Sequence, residues 1–478
     1  MSSSRASRSL DRSWKSGETP RVRPAMRDAA GLQERFMDCG SYLQEHAKRG
    51  RAAQVASIGP KNRFRVRGGD PDGRPIARPL SVRDVRIAFV HRGPGGLAFD
   101  GANGRGGTVR RVGTMDAVAD LDRSPIAAVD LFCGAGGLSH GLLRAGVRVM
   151  AGIDLDPAAA FAYEANNAGA QFLQWDVARK NSQSIRKLFG HAKYRLLAGC
   201  APCQPFSKLT NGSERHRSWD LLKNFGRFVD SIRPELVTME NVPELAQRGQ
   251  EVFEQFLRTL DRSGYAVDWK FVNCADYGAP QSRKRLVLLA SRLGAIRVPA
   301  GSHASPARWR TVRSAIAALP PVEAGGSDAA DPLHVAAQLS PLNLKRIRAT
   351  SADGGSKDDW PNRLVLDCHR RESGSRYRSI YGRMWWDKPA PTMTTLCNGI
   401  GNGRFGHPEQ DRAITLREAA LLQSFPRHYA FWPPDKKLHS KAVARMIGNA
   451  VPPELARALG VELLKHVAAH EGVDRSGS

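Results

Sequence analysis

Three short stretches of the chain hold residue types that can do chemistry together. Cys200-Ala-Pro-Cys203-Gln204-Pro-Phe206-Ser207 follows the apolar run Leu196–Ala198, which places it on a loop beyond a strand end. A C-x-x-C can be a redox pair, half of a zinc site, or the setting of a single nucleophilic thiol. No second C-x-x-C exists, and Cys274, Cys368 and His369 have no partner spacing, which argues against zinc. Glu240-Asn241-Val242 follows another apolar run, Leu236–Met239. Ends of parallel strands emerge on one rim, so this carboxyl and a Cys203 thiol would converge there, although a surface carboxylate at a strand end is the plainer reading of Glu240 alone. The third stretch is the turn Gly134, Gly136, Gly137, where a backbone without side chains can pass beneath a ligand. Asp154 closes the following apolar segment about twenty residues further on, the spacing of a carboxylate that accepts from ribose hydroxyls. Ser139 breaks the G-x-G-x-x-G of pyrophosphate-binding loops, so an adenosine cofactor without a pyrophosphate fits, with an ordinary tight turn as the bland alternative.

The elements that must carry these residues are alternately strand-like and helix-like. Ile126–Val129 leads through Asp130 into the glycine turn and an apolar helical stretch ending near Gly146. Val147–Ile153 reads as a strand and Pro157–Asn166 as a helix, with later strands at Phe172–Trp175, Tyr194–Ala198, Leu236–Met239 and Leu286–Ala290. This alternation predicts an α/β fold, a mostly parallel Rossmann-like sheet with helices on both faces. After about Leu293 the pattern gives way to Pro-, Gly-, Ser- and Arg-rich sequence up to Thr395. Thr415 and Glu418 then form a capping box, and apolar positions within Leu455–Leu464 predict a last helix. The expected organisation is a basic, largely disordered extension over 1–120, in which only Val85, Ile87 and Phe89 alternate like a strand. A catalytic and cofactor-binding domain over 121–293, a smaller irregular domain over 294–435 and a returning segment over 436–470 follow. The composition shift also makes Met115 a candidate start.

The 72 basic and 46 acidic side chains leave +26, spread along the whole chain. That charge suits a polyanionic partner or simply a basic protein with solvated ends. Seven scattered cysteines do not form a disulfide framework, and no apolar run approaches the roughly 18 residues of a membrane span. A monomeric, intracellular protein is the expectation.

Taken in order, Asp130-Leu-Phe-Cys-Gly-Ala-Gly-Gly-Leu-Ser139, Pro202-Cys203-Gln204, Glu240-Asn241-Val242, Gln281-Ser-Arg283-Lys-Arg285, Leu416-Arg-Glu-Ala-Ala-Leu-Leu-Gln-Ser-Phe-Pro426 and Gly448-Asn449-Ala450-Val451 resemble the cytosine-carbon-5 DNA methyltransferase family over residues 126–465. The resemblance implies a class I methyltransferase fold and methyl transfer from S-adenosylmethionine to carbon 5 of a flipped cytosine in double-stranded DNA. It implies Cys203 as the nucleophile that adds to carbon 6, Glu240 as the acid at ring nitrogen 3, and Asn241 as the residue steadying the glutamate loop. Arg283 would help the thiolate, and Arg285 would bind the cytosine carbonyl. For the cofactor it implies Phe132 on the adenine, Asp154 on the ribose, Leu155 against the purine and Asp176 on the adenine amino group. The Gly134, Gly136, Gly137 and Leu138 loop would lie beneath it, and Pro202, Asn449 and Val451 would close the pocket. Asp154 stands where the family often has glutamate, and Ala450 where serine is frequent. The loop Lys208–Arg217 is expected to close over the extruded base. Gln204, Ser207, Arg376, Arg378 and Arg383 are the expected DNA contacts, the last three within an arginine- and aromatic-rich stretch that includes Trp360, Arg363, Arg370, Arg371 and Tyr381. No metal is implied. A companion restriction or mismatch endonuclease is an expected partner, and a transfer-RNA methyltransferase or a catalytically idle DNA-binding regulator are the alternatives.

Overall fold

The computed structural model describes residues 123–202, 212–371 and 379–476. The expected extension over 1–120 lies outside them. The chain runs through β1 (Ile126–Leu131), α1 (Gly137–Ala145), β2 (Arg148–Asp154), α2 (Ala160–Asn166), β3 (Gln171–Gln174), α3 (Ser182–Leu188), β4 (Tyr194–Gly199), α4 (Gly212–Ile232) and β5 (Leu236–Asn241). It continues through α5 (Glu244–Arg248), α6 (Gln250–Arg262), β6 (Ala266–Asn273) and β7 (Lys284–Ser291). Beyond the sheet lie α7 (Val312–Ile316), α8 (Pro341–Arg348), α9 (Asp367–Arg370), α10 (Leu416–Leu422), α11 (Ser440–Asn449) and α12 (Pro453–Ser476).

The seven strands form one sheet in the order β3-β2-β1-β4-β5-β7-β6. Strands β1 to β5 pair in parallel, whereas β7 runs antiparallel to both β5 and β6. The order steps outward from β1 in both directions, so loops leaving β1, β4 and β5 share the sheet's carboxyl edge, where ligands bind in such folds.

Alternation along the central strands builds a core on each face. Ile126 and Ala128 of β1 and Leu196 and Ala198 of β4 join Leu142 of α1 and Leu455 and Leu459 of α12. On the other face, Val129, Leu131 and Leu197 meet Phe225 and Phe228 of α4 and Phe253 and Phe256 of α6. Each buried Ile, Val, Leu or Phe side chain among them contributes on the order of 1.5–3 kcal/mol, which fixes the strand register and with it the rim.

The predicted capping box is present. Thr415 accepts from the Glu418 amide, Glu418 accepts from the Thr415 amide, and α10 follows. Two expectations change. β6 adds to the expected strands, its Val267, Trp269 and Phe271 alternating with Asp268 and Lys270, and lies at the sheet edge, where Trp269 and Phe271 are exposed. The expected loop Lys208–Arg217 is helical from Gly212 onward, as the start of α4.

Candidate active site

The turn after β1 is built from left-handed backbone. Phe132 has φ 61°, Gly134 φ 50° and Gly136 φ 89°. A non-glycine residue held this way stores on the order of 1–3 kcal/mol, and here the strain accompanies an aromatic ring on a cavity wall. The Gly134 amide donates to Asp154 Oδ2 at 2.9 Å, and the Asp156 amide donates to Oδ1 at 2.9 Å. These bonds stitch the β1 loop to the end of β2. Burial nevertheless raises the Asp154 pKa above its ordinary value. The three glycines do different work. A Cβ on Gly134 would meet nothing within 4 Å, whereas one on Gly137 would stand 2.3 Å from the Val451 carbonyl, and one on Gly136 would run into Asn167 and Tyr163. Gly134 lines the cavity, while Gly136 and Gly137 lie behind it and let the C-terminal end of α2 and the Val451 segment approach the loop.

The cavity has a volume of about 510 Å³, in the range of small-molecule sites. Its walls include the expected Phe132, Gly134, Leu138, Asp154 and Pro202 on one side, with Asn449 and Val451 closing it from the C-terminal segment. Asp130 also lines it, a residue that sequence reasoning quoted only as part of a motif. Its Oδ2 accepts from Ser139 Oγ at 2.7 Å, and its Oδ1 has no hydrogen-bond partner among the described residues. Burial raises its pKa to about 7, with the Asp154 charge adding to the effect. A carboxyl closing the apolar run Ile126–Val129, just before the glycine turn, was the signal available. Leu155 and Asp176 stand outside the cavity wall, the first 64% exposed and the second accepting from the Ala178 amide at 2.9 Å.

The acid end of the same cavity is set by the register of β4 and β5. Leu196 lies beside Leu236 and Gly199 beside Met239, so the next residues, Cys200 and Glu240, stand abreast where both strands open onto the cavity. Glu240 is 3% exposed. Arg285 Nε lies 2.9 Å from Glu240 Oε1, yet that oxygen accepts no aligned hydrogen bond among the described residues. Cys200 Sγ donates to the other oxygen, Oε2, at 2.9 Å. Asn241 donates from Nδ2 to the Ala201 carbonyl at 3.2 Å and accepts the Val242 amide at Oδ1 at 2.7 Å, joining the two strand ends.

Arg283 occupies the same wall but is committed elsewhere. It donates to the Met393 carbonyl at 2.8 Å and to those of Gly448 and Ala450 at 2.9 and 3.4 Å. Burial pulls its pKa down to about 10, and the neighbouring Arg285 adds to that. Gln281 works alongside it, donating to the Leu422 carbonyl and to Gln423 Oε1 and accepting the Met393 amide. This block therefore holds the C-terminal segments against the sheet.

Cys203, Gln204, Ser207, Arg376 and Arg378 lie outside the described residues. Arg383 is corrected: it is 3% exposed and cannot reach a base edge. Its guanidinium donates to the carbonyls of Thr350, Ile347, His407 and Gln410 and to Asp411 Oδ1. Trp360 is likewise buried, donating from Nε1 to Thr350 Oγ1 at 2.8 Å.

The strand order with β7 reversed, and the cavity at its carboxyl edge between a glycine-bearing loop and a buried acid, define a class I methyltransferase fold. The chain belongs to the C-5 cytosine-specific DNA methylase family, whose model matches residues 126–465, and is thus a DNA (cytosine-5-)-methyltransferase. It is 49% identical over 335 residues to the Type II methylase M.HgiDII of Herpetosiphon aurantiacus, covering 70% of this chain and 93% of that relative. To the Type II methyltransferase M1.HphI of Haemophilus parahaemolyticus it is 34% identical over 346 residues, covering 70% and 86%. The crystal structure of a protein encoded within an E. coli prophage, assigned as a DNA modification methyltransferase, shares the fold. It has a TM-score of 0.55 and 22% identity, covering 72% of this chain and 99% of that one. Among the described residues no helix is long and apolar enough to cross a membrane.

Proposed function

We propose that the chain methylates carbon 5 of a cytosine extruded from double-stranded DNA, with Cys203 as nucleophile, Glu240 as acid and S-adenosylmethionine as methyl donor. The observation that carries this reading is the buried Glu240 carboxyl, flanked by Arg285, in the same cavity as the β1 loop. Carbon 6 of cytosine is a poor electrophile, so attack there needs a proton delivered at ring nitrogen 3 as the sulfur–carbon bond forms. In this reading Glu240 supplies that proton and Arg285 holds the ring carbonyl. Carbon 5 then gains the electron density to take a methyl group; loss of its proton to a base, return of the nitrogen 3 proton to Glu240 and expulsion of the Cys203 thiolate restore the aromatic ring.

The described residues suit the cofactor. Asp130 offers an unpartnered, buried carboxylate oxygen to a positively charged ligand, Asp154 has remaining acceptor capacity for hydroxyls, and Phe132 presents a ring. When bound, S-adenosylmethionine supplies an electrophilic methyl group. Residues 294–435 are the region we assign to target recognition, with 121–293 and 436–470 forming the catalytic domain. The likeness to Type II methylases favours a cytoplasmic restriction-modification role beside a companion endonuclease.

Tritiated S-adenosylmethionine incubated with the protein and either DNA or RNA tests the substrate: label is expected in DNA. DNA containing 5-fluorocytosine is expected to trap the wild type covalently and not Cys203→Ser. Label in transfer RNA, or no trapping by wild type, overturns the proposal.

A further inference from the structure

The geometry points to Cys200 as a positioning residue for the glutamate acid. This inference rests on the reading of Glu240 given above and deepens it.

In the sequence Cys200 is merely the first half of a C-x-x-C. The fold gives it a different neighbour. Parallel pairing carries β4 and β5 in step up to Gly199 and Met239, and the Cys200 amide still donates to the Leu131 carbonyl at 3.3 Å, so its backbone is held against β1. From that fixed position its thiol donates to Glu240 Oε2 at 2.9 Å. This is the aligned hydrogen bond that the carboxyl receives from a side chain among the described residues, since Arg285 approaches the other oxygen without one.

The two oxygens are therefore made unequal. A carboxyl that must present a proton to a base edge needs its plane fixed and one oxygen left available. The thiol occupies Oε2 and holds the plane; Oε1, beside Arg285, stays available for the pyrimidine. A buried carboxyl without this donor could rotate and bind Arg285 through both oxygens, and the proton-delivering geometry would be lost. Asn241 reinforces the arrangement by tying Ala201 to the strand that carries Glu240.

The test compares Cys200→Ala and Cys200→Ser with wild type in single-turnover methyl transfer under reducing conditions, alone and in the Glu240→Gln background. Dissociation constants for cofactor and DNA are measured separately. Loss of the donor is expected to slow Cys200→Ala about tenfold, a part of what a positioned acid contributes, with both dissociation constants within about twofold of wild type. Serine, which keeps a donor, is expected to restore most of the rate, and Cys200→Ala is expected to add no further loss to Glu240→Gln. Equal slowing by serine and alanine, a full additional loss in the Glu240→Gln background, or an unchanged rate in Cys200→Ala overturns the inference. If wild type itself transfers no methyl group to DNA, the functional reading fails instead.

Discussion

Arginine does opposite work in two regions of this molecule. At the sheet's carboxyl edge, Arg285 stands beside an acid on the wall of a cavity. Between residues 294 and 435, Arg383, Arg412 and Arg417 are buried and bonded inward. Arg412 donates to the Val322 and Ala413 carbonyls and to both oxygens of Glu418 at 2.8 Å, and Arg417 to Asp331 and the Tyr429 carbonyl. The difference follows from backbone accounting. In the sheet, ladders satisfy the carbonyls; between α7 and α10 the described chain has only short helices and isolated bridges, so its buried carbonyls need other donors. A guanidinium brings five donors in a fixed fork. Arginine density in an irregular region is thus partly a substitute for secondary structure, not a count of phosphate contacts.

Removing one charged group from each region separates the two roles. Glu240→Gln is expected to lower the methyl-transfer rate about 10³-fold while leaving cofactor affinity within about twofold, read by single-turnover labelling and calorimetry. Comparable loss of both would mean that Glu240 organises the cavity as a whole. Arg412→Ala, which strands the Glu418 carboxylate in the interior, is expected to cost about 3–5 kcal/mol of stability in urea denaturation. The exposed Arg363→Ala should stay within about 0.5 kcal/mol. If Arg412→Ala kept full stability and lost DNA affinity alone, the inward arginines would be reading DNA after all.

Much of the cavity was legible because strand ends obey simple rules. Asp154, Glu240 and the glycine turn each follow an apolar run, and parallel pairing carries such ends to one rim. What stayed hidden depends on partners distant in the chain. The inward turn of Arg383 requires carbonyls from residues 347, 350, 407 and 410 to gather around it, which no local pattern announces. β6 did carry a local signal, since Val267, Trp269 and Phe271 alternate with Asp268 and Lys270, whereas the reversal of β7 leaves no mark on apolar periodicity. The Cys200–Glu240 contact required knowing the β4–β5 register.

On the cavity side, Asp130 is a titratable group that the fold leaves with an oxygen to spare. Its folded pKa of about 7 lies above the ordinary 3.8. The folded state therefore holds a proton that the unfolded chain has lost. The stability this contributes is complete below about pH 4 and disappears as the pH rises toward about 7. A cationic ligand prefers the ionised carboxylate, so cofactor binding should strengthen over the upper part of the same range. Affinity for S-adenosylmethionine is expected to rise up to about tenfold between about pH 6 and about pH 8, following the ionised fraction. Asp130→Asn should flatten that profile in calorimetry, and a variant that kept the full slope would assign the titration to another group.

The smallest expected effects decide how far the cofactor site extends. Phe132 lies on the cavity wall, whereas Leu155 is 64% exposed beyond it, although family resemblance places both against the adenine. If the purine lies between them, each replacement by alanine removes apolar contact in proportion to the area covered. Phe132→Ala should then weaken cofactor binding about fivefold, as loss of one aromatic contact does, and Leu155→Ala about twofold to threefold. Both changes should act on the dissociation constant and spare the single-turnover rate at saturating cofactor, the reverse of Glu240→Gln. A Leu155→Ala variant with unchanged affinity would end the site at the Phe132 wall, and the exposed leucine would then have to be explained as ordinary surface.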